Sequence, residues 1–229
     1  WLANLETQLQ GKAPHYLIIS HMEPDHSSVI GRIFDLYPDI IGVCSARALP
    51  MMKRFFTTDY SSRMMVVNEG DTIALGAHTL KFLMAPMVHW PEVMVTYEQE
   101  EKILFSADAF GKFGALDADE AWTCEARRYY FNICGKYGAQ VQALLKKVAQ
   151  HDIRTICPLH GPILSENLEF YIDKYNTWSS YEAEDKGIFI AYCSLHGNTA
   201  QAAQALADIL AAKSDIKVAT ADIARDDMA

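Results

Sequence analysis

Short apolar runs that end in polar, loop-forming residues recur along this chain of 229 residues. Tyr16 to Ile19 is followed by Ser20-His21, and Leu80 to Met84 by Ala85-Pro86 and then His89. Val93 to Tyr97 and Ile103 to Phe105 flank the turn-like Glu98-Gln99-Glu100-Glu101, a hairpin pattern, and the second run leads into Ser106-Ala107-Asp108. Ile153 to Cys157 leads into Pro158-Leu159-His160. Each run has strand length and is bounded by breakers. Between them lie helical patterns. Val141, Leu144, Leu145 and Val148 repeat at i, i+3, i+4, i+7, the spacing of one buried helix face. Glu166 to Tyr181 predicts another helix, with Leu168, Ile172 and Tyr175 on one side. The charged stretch Glu182-Ala183-Glu184-Asp185-Lys186 lacks apolar periodicity and separates a domain of residues 1–182 from a second one of residues 187–229. That second segment reads as a strand (Gly187 to Tyr192), an Ala-rich helix with Ala202, Leu206, Ile209 and Leu210 inward, and a strand (Ile216 to Ala219). Such a β-α-β unit opens a parallel sheet.

Composition narrows the class. Half the residues are hydrophobic and 21% are charged, which fits a packed globular protein and excludes a disordered one. With 20 basic and 29 acidic residues the net charge is −9, which argues against a nucleic-acid partner. No apolar run approaches the roughly 20 residues that span a bilayer, and no signal-peptide pattern opens the chain. The five cysteines (Cys44, Cys124, Cys134, Cys157, Cys193) are an odd set without a C-x-x-C pair, so reduced thiols in a cytoplasm are expected.

The candidate chemistry sits where the strands end. His21, Glu23, Asp25 and His26 form H-x-E-x-D-H directly after the first predicted strand. Alternate residues of an extended segment project to one side, so His21, Glu23 and Asp25 are expected to share one space. His89, Asp108 and His160 each follow another strand, and strand-end loops on one rim carry ligands. Four histidines and three carboxylates suggest a two-metal site in which one carboxylate bridges. Imidazole and oxygen donors without thiolate suit iron or manganese at least as well as zinc. Asp25 also fits an N-cap for a helix starting near Ser27. Trp90, Met84, Met87 and Met94 are expected in the core or as a water-poor wall, with Tyr129 and Tyr130 beside the metals. His15, His78 and His151 have no ligand context and read as surface or structural residues.

H-x-E-x-D-H together with H-W-P-E at His89, S-A-D-A-F at Asp108 and L-H-G-P at His160 resembles the metallo-β-lactamase-like domain of the flavodiiron proteins, or A-type flavoproteins. Zinc hydrolases of that fold usually carry H-x-H-x-D-H, so Glu23 is the distinguishing position. The resemblance implies that one iron is held by His21, Glu23 and His89. It implies a second iron held by Asp25, His26 and His160, with Asp108 bridging.

A second pattern lies in the other domain. Cys193-Ser194-Leu195-His196-Gly197-Asn198-Thr199 runs from a strand into a helix, where hydroxyl and backbone donors and the helix dipole favour a phosphate. A plain capped turn has the same composition. The segment resembles the FMN-phosphate loop of flavodoxins, with Ser194, Leu195, His196, Gly197, Asn198 and Thr199 as the binding residues. Cys193 departs from the hydroxyl expected early in that loop.

The implied fold is α/β: an αββα metallo-β-lactamase-like sandwich, truncated at its N-terminus, then the first β-α-β of a flavodoxin-like doubly wound sheet. Only about 20 residues precede His21 and 43 follow Lys186, so a fragment of a longer protein is expected. The family likeness implies reduction of dioxygen to water or nitric oxide to nitrous oxide. It also implies rubredoxin or a reduced deazaflavin as donor and a head-to-tail homodimer that brings FMN to the partner's iron. The alternatives are a binuclear zinc hydrolase acting on an ester or thioester, and a catalytically silent flavin-binding electron-transfer module.

Overall fold

The computed structural model describes residues 2–115, 117, 121–213 and 215–226. The chain divides into two compact units, Trp1–Ser180 and Tyr181–Ala229. In the first, the described elements run α1 (Leu2–Leu9), β1 (Tyr16–Ile19), α2 (Pro24–Ser27), α3 (Ile30–Leu36), β2 (Ile41–Ser45), α4 (Ala48–Phe55) and β3 (Met64–Val67). They continue through β4 (Thr72–Leu75), β5 (His78–Met84), β6 (Met94–Glu98), β7 (Ile103–Phe105), α5 (Trp122–Ile133), α6 (Gly138–Val148), β8 (Thr155–Cys157) and α7 (Leu168–Ser179).

Strands β1, β2 and β3 form a parallel sheet in that order, and β4 to β8 form a second sheet in sequence order. Pairing in the second sheet is antiparallel from β4 to β7 and parallel between β7 and β8. Three apolar clusters define the layers. Ile19, Cys44, Ile30, Ile33, Phe34 and Met52 pack α3 and α4 onto one face of the first sheet. Val43 and Val67 of that sheet meet Ile73, Leu80, Phe82 and Met94 of the other, so the sheets stack face to face. Helices α5, α6 and α7 cover the far side with Ala126, Tyr130, Val141, Leu144, Tyr175 and Trp178. This is a helix–sheet–sheet–helix sandwich. Strand β6 is buried at every position because both its faces are covered.

Local sequence explains several joints. A side chain at Gly42 would meet the Met64 sulfur at 2.5 Å and the Phe34 ring at 2.9 Å, so glycine lets both pack onto β2 without shifting. The Arg63 guanidinium donates to the carbonyls of Phe34, Tyr37 and Ile40 and closes the C-terminal end of α3. All four apolar positions of the α6 pattern are buried. At roughly 1.5–3 kcal/mol per fully buried large apolar side chain, that face supplies more than helix propensity can.

The strands are also displaced from their predicted limits. The hairpin joins β6 and β7 with Glu98 paired to Ile103, so Glu98 belongs to the strand and the turn is shorter than expected. Strand β5 starts earlier, at His78, and β8 starts later, at Thr155, while Ile153 packs against the helical layer.

The second unit contains β9 (Gly187–Tyr192), α8 (Asn198–Lys213) and β10 (Lys217–Asp222). The two strands pair in parallel, in register from Gly187 with Lys217 to Tyr192 with Asp222. The inward face of α8 differs from the expected one. Ala203 and Ala207 are buried, Leu210 is half-buried, and Ala202, Leu206 and Ile209 are exposed. Gln201, Gln204 and Asp208 mark one polar face, but the rest of the helix is apolar, so the sequence does not single out the buried positions, and small alanines fit closest over two strands. No helix among the described residues is long and apolar enough to cross a membrane. All five cysteines are free.

Candidate metal centre

The H-x-E-x-D-H segment does not remain extended. After β1, Glu23 takes the N-cap position of α2, whose first residue is Pro24, and the His26 and Ser27 amides donate to the Glu23 carbonyl. Proline is pre-organised for that first helical position. Asp25 therefore lies in the first turn of α2 instead of capping a helix near Ser27. A tight turn, not strand alternation, directs Glu23 one way and Asp25 with His26 the other. His89 comes from the β5–β6 connection, Asp108 from the loop after β7 and His160 from the loop after β8. Gly161 holds that last loop at φ +87°, where an added side chain would meet Lys112 backbone within 3.2 Å.

These loops converge on Asp108, which is almost fully buried. Its Oδ2 lies 3.1 Å from His89 Nε2 and 3.3 Å from His21 Nε2. Glu23 Oε2 closes this side at 3.0 Å from His89 Nε2 and 3.3 Å from His21 Nε2. The other oxygen, Oδ1, lies 3.1 Å from His26 Nε2 and 3.8 Å from His160 Nε2. Asp25 Oδ2 sits 3.1 Å from His160 Nε2 and 3.4 Å from His26 Nε2. Two groups able to hold a cation result: His21, Glu23, His89 and Asp108, and beside them Asp25, His26 and His160. All seven residues expected from the sequence meet here.

The donor set fits two metal ions. His26 Nε2 and Asp108 Oδ1 are buried and have no hydrogen-bond partner, although they lie 3.1 Å apart. Buried polar atoms are rarely left so, and a cation between them would satisfy both. Electrostatics agree. Burial alone would lower His21, but hydrogen bonds and charge from Asp108 and Glu92 outweigh it and hold the imidazole at about 9. Burial raises Asp108, yet His21, His26 and His89 together hold its carboxyl well below the usual range. A divalent cation uses the same attraction and displaces the proton.

Several neighbours were not foreseen. Glu92 is buried, and its Oε1 lies 2.7 Å from His21 Nδ1 while accepting the Met22 amide at 2.9 Å. In the sequence its only signal is a carboxylate set between Pro91 and Val93. Trp90 stands edge-on to His21 at 5.2 Å and forms a wall of the site. Met84 and Met94 pack between the sheets instead, and Tyr130 belongs to the helix-side core. Tyr129 does reach the centre, with its ring 5.7 Å from His160 and its hydroxyl pushed up by burial and by Asp108. Phe113 covers another edge of His160 at 5.0 Å. A cavity of about 360 Å³ lined by Leu17, Ile19, Val29, Ile33 and Leu159 opens onto His21, Asp25, His26 and His160. His15 is exposed, His78 pairs with Glu98, and His151 lies against the Tyr97 ring.

In the second unit, the loop after β9 leads straight into α8, which begins at Asn198. Gly197 has φ +85° with open space around it, and Ser194 Oγ is buried without a hydrogen-bond partner. Leu195, His196, Asn198 and Thr199 are exposed around that turn. A buried unpartnered hydroxyl beside a helix N-terminus fits a phosphate acceptor.

Residues 2–161 match the family model described as ODP family beta lactamase. A nitric oxide reductase from Moorella thermoacetica is 33% identical, over 86% of this chain and 51% of its own length. The flavodiiron protein from Giardia intestinalis superposes with a TM-score of 0.89 at 25% identity, over 99% of this chain and 57% of that one. The rubredoxin oxygen:oxidoreductase from Desulfovibrio gigas gives 0.86 at 26% identity, over 96% and 57%. The chain spans about half the length of the curated relatives it matches. The family model covers most of the metal-bearing unit and the structural likeness extends across both units, so the chain belongs to the flavodiiron protein family, with a metallo-β-lactamase-like fold.

Proposed function

We propose that the full-length protein is a flavodiiron oxidoreductase that reduces dioxygen to water, nitric oxide to nitrous oxide, or both. One observation carries this reading. The two oxygens of buried Asp108 face different histidine groups, and His26 Nε2 and Asp108 Oδ1 lie 3.1 Å apart with no hydrogen bond to satisfy either. On this reading His21, Glu23 and His89 hold one iron, Asp25, His26 and His160 hold the other, and Asp108 bridges. Three carboxylates nearly balance two divalent ions, and imidazole and carboxylate donors without thiolate suit iron. Two ferrous ions would supply electrons and open positions for a small gas molecule. The chain's own part is to hold the ligands and to exclude water, with Trp90 beside His21 and Phe113 beside His160.

FMN would feed the electrons, its phosphate held by Ser194, Thr199 and the backbone of Leu195, His196, Gly197 and Asn198. The unpartnered Ser194 hydroxyl supports that assignment. The Moorella nitric oxide reductase and the Desulfovibrio rubredoxin oxygen:oxidoreductase support gas reduction, and the latter supports rubredoxin as donor, with a reduced deazaflavin as substitute. We further infer a cytoplasmic head-to-tail homodimer that brings the FMN of one subunit to the iron of the other.

The test uses full-length protein purified anaerobically and supplied with reduced rubredoxin. Iron, FMN and consumption of dioxygen or nitric oxide are expected together. Two zinc ions, no flavin and no gas consumption would contradict the reading.

A further inference from the structure

Beneath the metal ligands lies a carboxylate that touches no proposed ion position. Glu92 is buried, and its side chain faces His21 from the side opposite Glu23 and Asp108. An ionised carboxylate only accepts hydrogen bonds, so at 2.7 Å the His21 Nδ1 must donate to Glu92 Oε1. In neutral imidazole the lone pair is then on Nε2, the atom that faces Glu23, His89 and Asp108. One further bond holds the carboxylate and another holds its backbone. Its Oε1 also accepts the Met22 amide at 2.9 Å, and the Glu92 carbonyl accepts the Ser45 hydroxyl at 2.6 Å. Glu92 thus joins the end of β2, the loop after β1 and the loop that carries His89.

We propose that Glu92 is the positioning residue for the His21 side of the metal centre, fixing the tautomer and orientation in which Nε2 faces the ion. This rests on the diiron reading for the identity of the metal. Among the described residues no equivalent partner is seen at Asp25, His26 or His160, so the effect is assigned to one of the two ions. Carboxylate partners of metal-bound histidines are worth roughly 10–100-fold in metal affinity.

The test titrates metal-free protein with ferrous iron under anaerobic conditions and resolves the two irons by Mössbauer spectroscopy. Glu92→Leu removes the acceptor and should weaken one iron by about 10–100-fold while the other binds as in the parent. Glu92→Gln keeps an acceptor at the same reach and should hold both irons more tightly than Glu92→Leu. Ser45→Ala disturbs the same loop without touching the carboxylate, and should keep both irons. If Glu92→Leu binds both irons as the parent does, or loses both to the same degree, the proposal is overturned. Should the parent take zinc and refuse iron, the diiron reading fails separately. The same variants titrated with zinc then decide the role of Glu92, because the same Nε2 lone pair is at stake.

Discussion

His78, Glu98 and Glu100 bring an imidazole and two carboxylates within metal-binding reach of one another, as do the residues around Asp108. The two groups differ in what their lone pairs do. Glu98 Oε1 takes His78 Nδ1 at 2.8 Å and the Glu100 amide at 3.3 Å, and its Oε2 takes the Glu101 amide at 2.6 Å. Glu100 caps the β5 edge, accepting the Thr79 amide at 2.6 Å and its hydroxyl at 3.1 Å. Every carboxylate oxygen there has a protein donor. Around Asp108, by contrast, a buried carboxylate oxygen and a buried imidazole nitrogen face each other without a hydrogen bond. Isolated unpartnered groups also occur in the core, as at Trp178 Nε1, so a single orphan decides little. Two that face each other at 3.1 Å decide more. A buried ligand atom that the fold leaves without a hydrogen bond distinguishes the Asp108 group from the hairpin cluster.

The largest expected effect comes from removing the shared carboxylate. Asp108→Ala should weaken metal binding by at least about 100-fold, the upper end of what even outer-shell partners cost, and elemental analysis after dialysis reads it. Metal retention at parent level would erase the contrast between the two clusters. A smaller effect is expected at the buried, unpartnered Ser194 hydroxyl. In full-length protein, Ser194→Ala should weaken FMN binding about 10–100-fold, since a hydrogen bond to a charged group is worth about 1.5–3 kcal/mol. Flavin fluorescence titration checks this, and unchanged affinity would make the loop a plain turn.

The smallest effect belongs to the hairpin cluster. His78→Gln should leave metal content and gas consumption unchanged. It should instead alter the pH dependence of stability. The hydrogen bond to Glu98 raises the His78 pKa. Its stabilisation is therefore complete below the ordinary imidazole value and is lost as pH rises through the raised one. Urea midpoints of parent and variant should differ below the ordinary imidazole range and converge as pH rises above it. A difference that grows with pH would refute the assignment.

What the sequence disclosed follows from how locally each feature is encoded. Strand-end ligands were legible because apolar runs and breakers locate strand ends, and the α6 face because large aliphatics mark it. The turn at Glu23 to His26 was misread as extended, although Pro24 at the first helical position was its signal. The Ala-rich α8 shows a polar face but spreads apolar residues over the rest of its circumference, so which of them is buried depends on what lies beneath it. Glu92 escaped because its role exists only through a partner 71 positions away. Bonds of that range leave no periodic trace.

The central claim is that two ions share Asp108, and calorimetric titration of the metal-free protein with ferrous iron, without oxygen, tests it most directly. The account predicts saturation at two irons per chain in the parent, with binding collapsed in Asp108→Ala. Saturation at one iron, or two irons bound as tightly without the Asp108 carboxylate, would contradict it.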